Sequence, residues 1–189
     1  VDDIEFADGN FIVGGTDRSA TLLEVVATAF RPGALPENIE PGLYEVGTFA
    51  PQYWNWPTGV QICELEIDPE TGETTLVNFV CVDDVGAVVN PMLLKAQMHG
   101  GIVQGIGQAL VEDIVYDAEG QLISGSLMDY CLPRADDTCN MNIISAPTIT
   151  KSNLIGAKGG GESGPTGALP ATINAVVDAL KPLGIAHID

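Results

Sequence analysis

The sequence VQICELEIDPETGETTLVNFVCV, residues 60–82, decides the fold because it contains two strands and the turn that joins them. β-Branched and other apolar residues are frequent in both arms, as is typical of strands. The central DPETG, residues 68–72, consists of residue types that favour a turn. The segment therefore predicts an antiparallel hairpin with strands over residues 60–67 and 74–82.

A helix is predicted directly after this hairpin. Asn90 and Pro91 are a favourable pair for the N-cap and the first helical position. Apolar residues then recur at helical spacing as far as Leu110, although four of the eight residues from 100 to 107 are glycine. Each glycine costs a helix roughly 1 kcal/mol relative to alanine. We therefore expect another group to approach this backbone closely.

Shorter elements precede the hairpin. Residues 4–13 have a strand–turn–strand pattern around an Asp-Gly-Asn turn. Thr21 and Glu24 have the spacing of a capping box and predict the start of a helix. Residues 31–42 contain several prolines and glycines and are predicted to form a loop.

Two further elements follow the central helix, and together the elements indicate the fold class. A third hairpin is predicted over residues 112–127, and a last helix from about Ala168 to Leu180 with Pro170 in its first turn. Helices and antiparallel hairpins without regular βαβ alternation predict an α+β fold, with mixed or antiparallel hairpins packed against helices. Two small lobes, about residues 1–90 and 91–189, are compatible with this order.

Charge and composition exclude several classes of partner. Twenty-six acidic residues face seven basic ones, which gives a formal net charge of −19 and disfavours binding to nucleic acid or anionic lipid. No apolar run approaches the roughly 18 residues of a membrane-spanning helix.

The four cysteines do not form a familiar metal-binding pattern. They contain no C-x-x-C pair, and the chain has only two histidines, so no zinc or iron–sulfur ligand set is predicted. We expect free, buried thiols in a reducing, cytoplasmic compartment, with a Cys63–Cys81 bridge between neighbouring strands as the alternative.

The segment GAKGGGESGPTG, residues 156–167, is the candidate functional site. Six of its twelve residues are glycine, which allows backbone conformations that an ordinary loop does not need. It leads into a predicted helix N-terminus, where N–H groups and the helix dipole favour an anion. Glu162 is its only acid, and Lys158 is one of only seven bases in the chain.

Three generic interpretations of this segment compete. Gly159, Gly161 and Gly164 match the dinucleotide-binding pattern G-x-G-x-x-G, but no second strand follows the last helix to supply the acid expected about 20 residues further on. A Walker A loop requires Gly-Lys-Ser/Thr after the glycines, and the sequence lacks it. A flexible surface connection with a solvated Glu162 is the plainest alternative.

Four stretches, in the same order along the chain, resemble the xanthine dehydrogenase/aldehyde oxidase family of molybdenum hydroxylases. They are DDVG with Asn90-Pro91, QMHGGIVQGIGQAL at 97–110, MDYCLPRA at 128–135, and GGGES with ALPATINA at 159–175. The most similar branches are carbon monoxide dehydrogenase large chains and related bacterial oxidoreductases. The resemblance implies that residues 1–189 are the C-terminal part of a molybdenum-cofactor-binding domain.

The resemblance also implies roles for individual residues. Glu162 matches the family's glutamate beside molybdenum, the general base in the hydroxylation of an aldehyde, N-heterocycle or similar small substrate with water. Gln97 matches a glutamine near the metal–pterin end of the cofactor. No protein metal ligands are expected, because the pterin's dithiolene holds the molybdenum. Further cofactor contacts are implied for Gly100, Gly101, Gln104, Gly105, Lys158, Gly159, Gly160 and Gly161.

Cofactors and partners follow from the same resemblance. We expect a molybdenum–pterin cofactor in its cytosine dinucleotide form, with FAD and [2Fe-2S] centres on partner subunits or domains. The rest of the molybdenum subunit would complete the substrate site, so we expect the isolated chain to be inactive. Ser163-Gly164 stands where xanthine dehydrogenases have paired prolines, which disfavours a purine oxidase. The alternatives are a non-catalytic fragment or paralogue without molybdenum and a plain nucleotide-binding domain.

Overall fold

The structure, a computed structural model, describes residues 3–188 in two compact units that divide at Ala50 and Pro51. The division lies here rather than near residue 90, because the strands over residues 58–84 pack with the helices that follow them. Each unit is described by itself below.

The first unit contains a three-stranded antiparallel sheet and a short helix. Its elements are β1 Ile4–Ala7, β2 Asn10–Val13, β3 Ser19–Thr21 and α1 Leu22–Ala29. The predicted first hairpin is confirmed, with Asp8 and Gly9 at φ 49° and 78° in its turn. The capping box is also confirmed, because Thr21 Oγ1 accepts from Glu24 N and Glu24 Oε2 accepts from Thr21 N. Strand β3 was not predicted.

The second unit is built on a mixed three-stranded sheet in the order β4-β5-β6. Its strands are β4 Thr58–Ile67, β5 Thr74–Asp84 and β6 Met141–Ser145. The hairpin predicted over residues 60–82 is confirmed, and its turn is fastened by Asp68 Oδ1, which accepts from the backbone N–H groups of Glu70 and Thr71. Strand β6 was not predicted and runs parallel to β5.

Two helices complete the second unit. They are α2 Pro91–Leu110 and α3 Ser163–Leu180. Asn90 Oδ1 caps α2 by accepting from Leu93 N at 3.1 Å, as predicted, and the glycines do not interrupt the helix. None of the helices within residues 3–188 has the length and apolar character needed to span a membrane.

Helix α3 begins at Ser163, five residues before the predicted Ala168, so Pro170 lies inside the helix and not in its first turn. A side chain on Gly164 would come within 2.9 Å of Gly101 Cα. This close packing against α2 holds Ser163 to Gly167 in the helix despite their weak helix propensity.

The core of the second unit lies between the sheet and the two helices, since α3 packs on β4, α2 contacts β6, and the helices pack on each other. Phe79 and Cys81 point from alternate positions of β5 to this face. The buried cluster consists of Phe79, Cys81, Met98, Ile102, Ile106 and Ala168. The end of β5 and the starts of α2 and α3 are therefore positioned by one core.

The third predicted hairpin, residues 112–127, forms a turn but not two strands. Only Tyr116 and Leu122 pair in a bridge, and Asp117 Oδ1 fastens the turn by accepting from the backbone N–H groups of Glu119 and Gln121. Several of its apolar side chains are largely exposed and therefore add little packing, among them Ile114 at 61% and Ile123 at 52%. An isolated two-stranded ribbon without such packing is marginally stable, which explains the missing strands.

Candidate active site beside the glycine loop

The loop of residues 156–162, named here the glycine loop, lies against the end of β5. Lys158 N donates to Val85 O at 2.8 Å, and Ala87 N donates to Gly156 O at 2.9 Å. Gly86 adopts φ 65°, and a side chain on it would collide with the carbonyl oxygen of Gly156. The beginning of the loop is therefore fixed to the sheet and is not a loose surface connection.

An ion pair strengthens this attachment. Lys158 Nζ lies 2.7 Å from Asp84 Oδ2, and the two side chains are only 14% and 16% exposed. Asp84 Oδ1 also accepts from the backbone N–H groups of Gly86 and Thr148. The Lys158 ammonium, followed by these backbone donors, holds the pKa of the Asp84 carboxyl well below its usual range. The charge of Lys158 is thus directed to a carboxylate of its own chain.

Glu162 ends the glycine loop at the N-cap position of α3. Its backbone carbonyl accepts from Thr166 N at 3.2 Å and from Thr166 Oγ1 at 2.7 Å. Its side chain makes no capping hydrogen bond and is exposed. The backbone of Glu162 is thus fixed by α3, while its side chain is exposed to solvent.

Gln97 is brought next to Glu162. It lies on the exposed side of α2, and its Nε2 donates to Gly161 O at 2.7 Å. Gly161 directly precedes Glu162. The fold therefore brings Gln97 close to the backbone of Glu162, and these two residues have the most specific predicted roles. Their sequence separation of 65 positions is closed by the packing of α2 against α3.

Three exposed glycines, one on α2 and two in the glycine loop, leave backbone open to a ligand. A side chain on Gly100, Gly159 or Gly161 would meet nothing within 4 Å. Gln104 is also exposed, one helical turn beyond Gly100 on α2. We call Gln97, Gly100, Gly159 and Gly161 the open glycine face. The main chain at these glycines is not covered by side chains, so a ligand could approach it closely.

Two other glycines of the predicted site have a different environment. A side chain on Gly101 would come within 2.5 Å of Pro165 Cδ, and one on Gly105 within 2.7 Å of Ala168 Cβ. The close approach expected at this backbone is therefore made by α3, and Gly101 and Gly105 lie in the helix interface rather than on the open glycine face. Gly160 also points inward, with Leu94 and Val85 within 3.3 Å of a side chain built there.

A cavity of about 790 Å³ opens beside Glu162 and lies between β4 and the first turns of α3. Trp56, Gln61, Asp83 and Thr166 contribute to its wall. Gln61 was not predicted as a site residue, yet its Nε2 donates to Ser163 O at 2.8 Å and Gly164 O at 3.1 Å. The signal for it in the sequence was a polar residue in register with the inward-facing positions of the strand, which are otherwise apolar at Cys63, Leu65 and Ile67.

Asp83 lies on the opposite face of β5 from Asp84 and is buried beneath Gly59. Cys81 Sγ donates to Asp83 Oδ2 at 3.0 Å. Burial raises the pKa of the Asp83 carboxyl, although the thiol hydrogen bond partly offsets this, and burial also raises the pKa of Cys81 to about 12. Two adjacent carboxyls at the end of β5 therefore have opposite pKa shifts.

All four cysteines are free thiols, so the alternative of a Cys63–Cys81 bridge is wrong. The strand register explains this result, because Cys63 stands opposite Phe79 while Cys81 stands opposite Gln61. Within residues 3–188, no three His, Cys, Asp or Glu side chains come together as a set that could hold a metal ion.

Known proteins share both the sequence and the fold. Residues 1–139 match the family described as "Molybdopterin cofactor-binding domain". The carbon monoxide dehydrogenase large chain of Hydrogenophaga pseudoflava is 35% identical over 188 residues, which is 99% of this chain and 23% of that protein. The 6-hydroxypseudooxynicotine dehydrogenase complex subunit gamma of Paenarthrobacter nicotinovorans is 37% identical over 95% of this chain and 23% of its own length.

Solved structures give the same result. The Cu,Mo-CO dehydrogenase superimposes with a TM-score of 0.88 at 34% identity, over all of this chain and 24% of that one. Quinoline 2-oxidoreductase from Pseudomonas putida 86 superimposes with a TM-score of 0.90 at 35% identity, over 97% of this chain and 24% of that one. This chain thus spans about a quarter of the length of these relatives. It belongs to the molybdopterin cofactor-binding domain family and has the α+β fold of that domain in molybdenum oxidoreductases.

Proposed function

We propose that this chain is the cofactor-binding and base-carrying part of a molybdenum hydroxylase that oxidises a small molecule with water as the oxygen source. The observation that supports this most directly is the hydrogen bond from Gln97 to Gly161, which joins the open glycine face to Glu162. The activity belongs to a longer subunit, since the chain spans 23% of the length of its relatives.

The open glycine face suits a molybdenum–pterin cofactor. Gln97 Nε2 is oriented by Gly161 O, which leaves its second N–H and its Oε1 able to bond to a ligand. The backbones at Gly100, Gly159 and Gly161 can approach the pterin or its phosphates without steric hindrance from side chains. When bound, the cofactor supplies a metal centre that takes up the two electrons of the oxidation.

Glu162 acts as the general base in this proposal. One of its carboxylate oxygens takes the proton released as a water-derived oxygen attacks an electron-poor carbon of the substrate. Its backbone is held by α3, and its carboxylate is not used in helix capping. The adjoining cavity of about 790 Å³ has the size of a small-molecule site.

The substrate class, cofactor form and partners are inferred from the relatives. We infer an aldehyde, an N-heterocycle or a similar small molecule as the substrate, and the cytosine dinucleotide form of the pterin. We also infer FAD and [2Fe-2S] centres on partner subunits, because relatives are named as a large chain and as a subunit of a complex. We also infer that the protein is located in the cytoplasm.

Cofactor binding is tested by the molybdenum and pterin content of the intact enzyme complex. We compare the parent with Gly161→Leu, whose Cβ would have no neighbour within 4 Å and whose larger side chain would cover the open glycine face. Gly47→Leu, at an equally open glycine in the first unit, is the matched control. Gly161→Leu should fold normally and lose molybdenum, while Gly47→Leu retains it. A parent complex without molybdenum would instead support a non-catalytic paralogue.

A further inference from the structure

The glycine loop is attached to the protein at two points, and Glu162 directly follows the second. The first point is Lys158, whose ammonium pairs with Asp84 and whose N–H bonds to Val85 O. The second is Gly161, whose carbonyl accepts from Gln97. Only two glycines lie between these points, so the path of the chain into Glu162, whose carbonyl is bonded within α3, depends on where both attachments hold the loop.

Asp84 is oriented independently of Lys158. Its Oδ1 accepts from Gly86 N and from Thr148 N, both at 2.9 Å, and its Oδ2 remains for the lysine. Lys158 therefore meets an acceptor that is fixed at the end of β5. The two side chains are mostly shielded from water, which limits screening of the ion pair.

The other ion pair in the described residues is of a different kind. Lys181 and Asp178 are 67% and 71% exposed and stand three positions apart at the C-terminal end of α3. Exposed pairs of this type contribute little to stability. This pair attaches no loop and therefore provides a matched control for the removal of a lysine charge.

We propose that Asp84 and Lys158 are positioning residues for Glu162. Their ion pair fixes one end of the short glycine segment that leads to Glu162, and in this way sets the position of the Glu162 carboxylate. The inference rests on the proposed role of Glu162 as the base. A polyglycine segment has wide conformational freedom, so the loop needs an external attachment to hold one position. A misplacement of about 1 Å can lower a rate about 100-fold.

The experiment compares Lys158→Met, Lys158→Arg and the control Lys181→Met in the intact enzyme complex. Amide hydrogen exchange is measured at Ala87 and Lys158, whose N–H groups bond to Gly156 O and Val85 O, and, as a check on global folding, over β4 and β5. Turnover is measured with quinoline, nicotine or an aromatic aldehyde, whichever the parent oxidises fastest, and a redox dye as electron acceptor. Molybdenum content is determined for each sample.

We expect the effect of Lys158→Met to be confined to the glycine loop and its attachment. Lys158→Met should speed exchange at Ala87 and at residue 158 but not in β4 and β5, and should lower kcat about 100-fold with KM and molybdenum content unchanged. Lys158→Arg should restore most of kcat, and Lys181→Met should match the parent. Unchanged exchange in Lys158→Met overturns the positioning role, whether or not a substrate is found.

The same assay separates this inference from the proposed function. Glu162→Gln is measured beside the lysine variants. If Glu162→Gln keeps the parent's kcat, the base role itself is wrong. If Glu162→Gln is inactive while Lys158→Met is fully active, only the positioning role is overturned.

Discussion

Gln97 Nε2 donates a hydrogen bond of 2.7 Å to the carbonyl oxygen of Gly161, the residue before Glu162. This bond connects α2, on which Gln97, Gly100 and Gln104 are exposed, with the loop that carries the candidate base. A cofactor lying on the open glycine face would therefore contact groups that are already fixed relative to Glu162. Such preorganisation is what an electrostatically assisted proton transfer requires.

Adjacent glycines in α2 should respond in opposite ways to alanine. Gly100→Ala should raise the free energy of unfolding by about 1 kcal/mol, because alanine favours a helix and its methyl group meets no other atom. Gly101→Ala should lower it by roughly 1–3 kcal/mol, because the methyl group would press on Pro165. Urea unfolding of both variants tests the pair, and equal effects would contradict the helix packing.

Gly100→Ala has a second expected effect in the intact enzyme. If the open glycine face binds the pterin, a methyl group there should reduce molybdenum content even as it stabilises the helix. Retention of molybdenum at the parent level would show that the cofactor does not approach Gly100.

Asp83 and Asp84 should give opposite pH dependences of stability. The pKa of Asp84 is lowered in the folded state, so its contribution is present above the ordinary value of 3.8 and is lost as pH falls through the lowered value. Asp84→Asn should therefore be less stable than the parent at neutral pH, and the deficit should shrink below about pH 4. Urea unfolding from pH 7 to pH 3 measures the difference.

The pKa of Asp83 is raised instead, so folding favours its protonated form and ionisation costs stability as pH rises from 3.8 through the raised value. Asp83→Asn should gain stability relative to the parent over that window, because a neutral amide removes the buried charge. An Asp83→Asn variant whose stability falls behind the parent as pH rises would show that the carboxylate is stabilised in the fold.

The four thiols should differ widely in reactivity. Cys131 is exposed, whereas Cys81 has no accessible surface and a pKa of about 12. At neutral pH the thiolate fraction of Cys81 is on the order of 10³ lower than that of an ordinary cysteine. Maleimide labelling with mass spectrometry should modify Cys131 first and Cys81 only after unfolding. Early modification of Cys81 would contradict its place in the core.

Local patterns in the sequence predicted the elements that depend on neighbouring residues. The turn at Asp68, the capping box of Thr21 and Glu24, and the N-cap at Asn90 all form as expected. Each of these signals acts within four positions of the chain, so no knowledge of the tertiary fold was needed.

The features that sequence did not predict depend on distant contacts. β6 is five residues long and exists because it pairs in parallel with β5, about 60 positions earlier in the chain. The early start of α3 depends on the contact of Gly164 with Gly101. Likewise, sequence did not indicate that Lys158, implied as a cofactor contact, pairs with Asp84, which lies 74 positions away.

The candidate site was predicted in part. Resemblance implied roles for Gln97 and Glu162, which stay predictions, and the fold brings Gln97 to Gly161, the residue before Glu162. It grouped Gly101 and Gly105 with Gly100, because sequence cannot tell which side of a helix a neighbouring helix will cover. Gln61 was missed, since its hydrogen bonds to Ser163 O and Gly164 O cross more than 100 positions.

The most direct measurement is the turnover of Glu162→Gln in the intact enzyme with its molybdenum content determined in the same sample. Glu64→Gln, on an exposed position of β4, is the control. We expect Glu162→Gln to retain molybdenum and to lose roughly 10²–10⁴-fold in kcat, the usual contribution of a general base, while Glu64→Gln matches the parent. A molybdenum-loaded Glu162→Gln enzyme with the parent's kcat would contradict the role of Glu162 as the base.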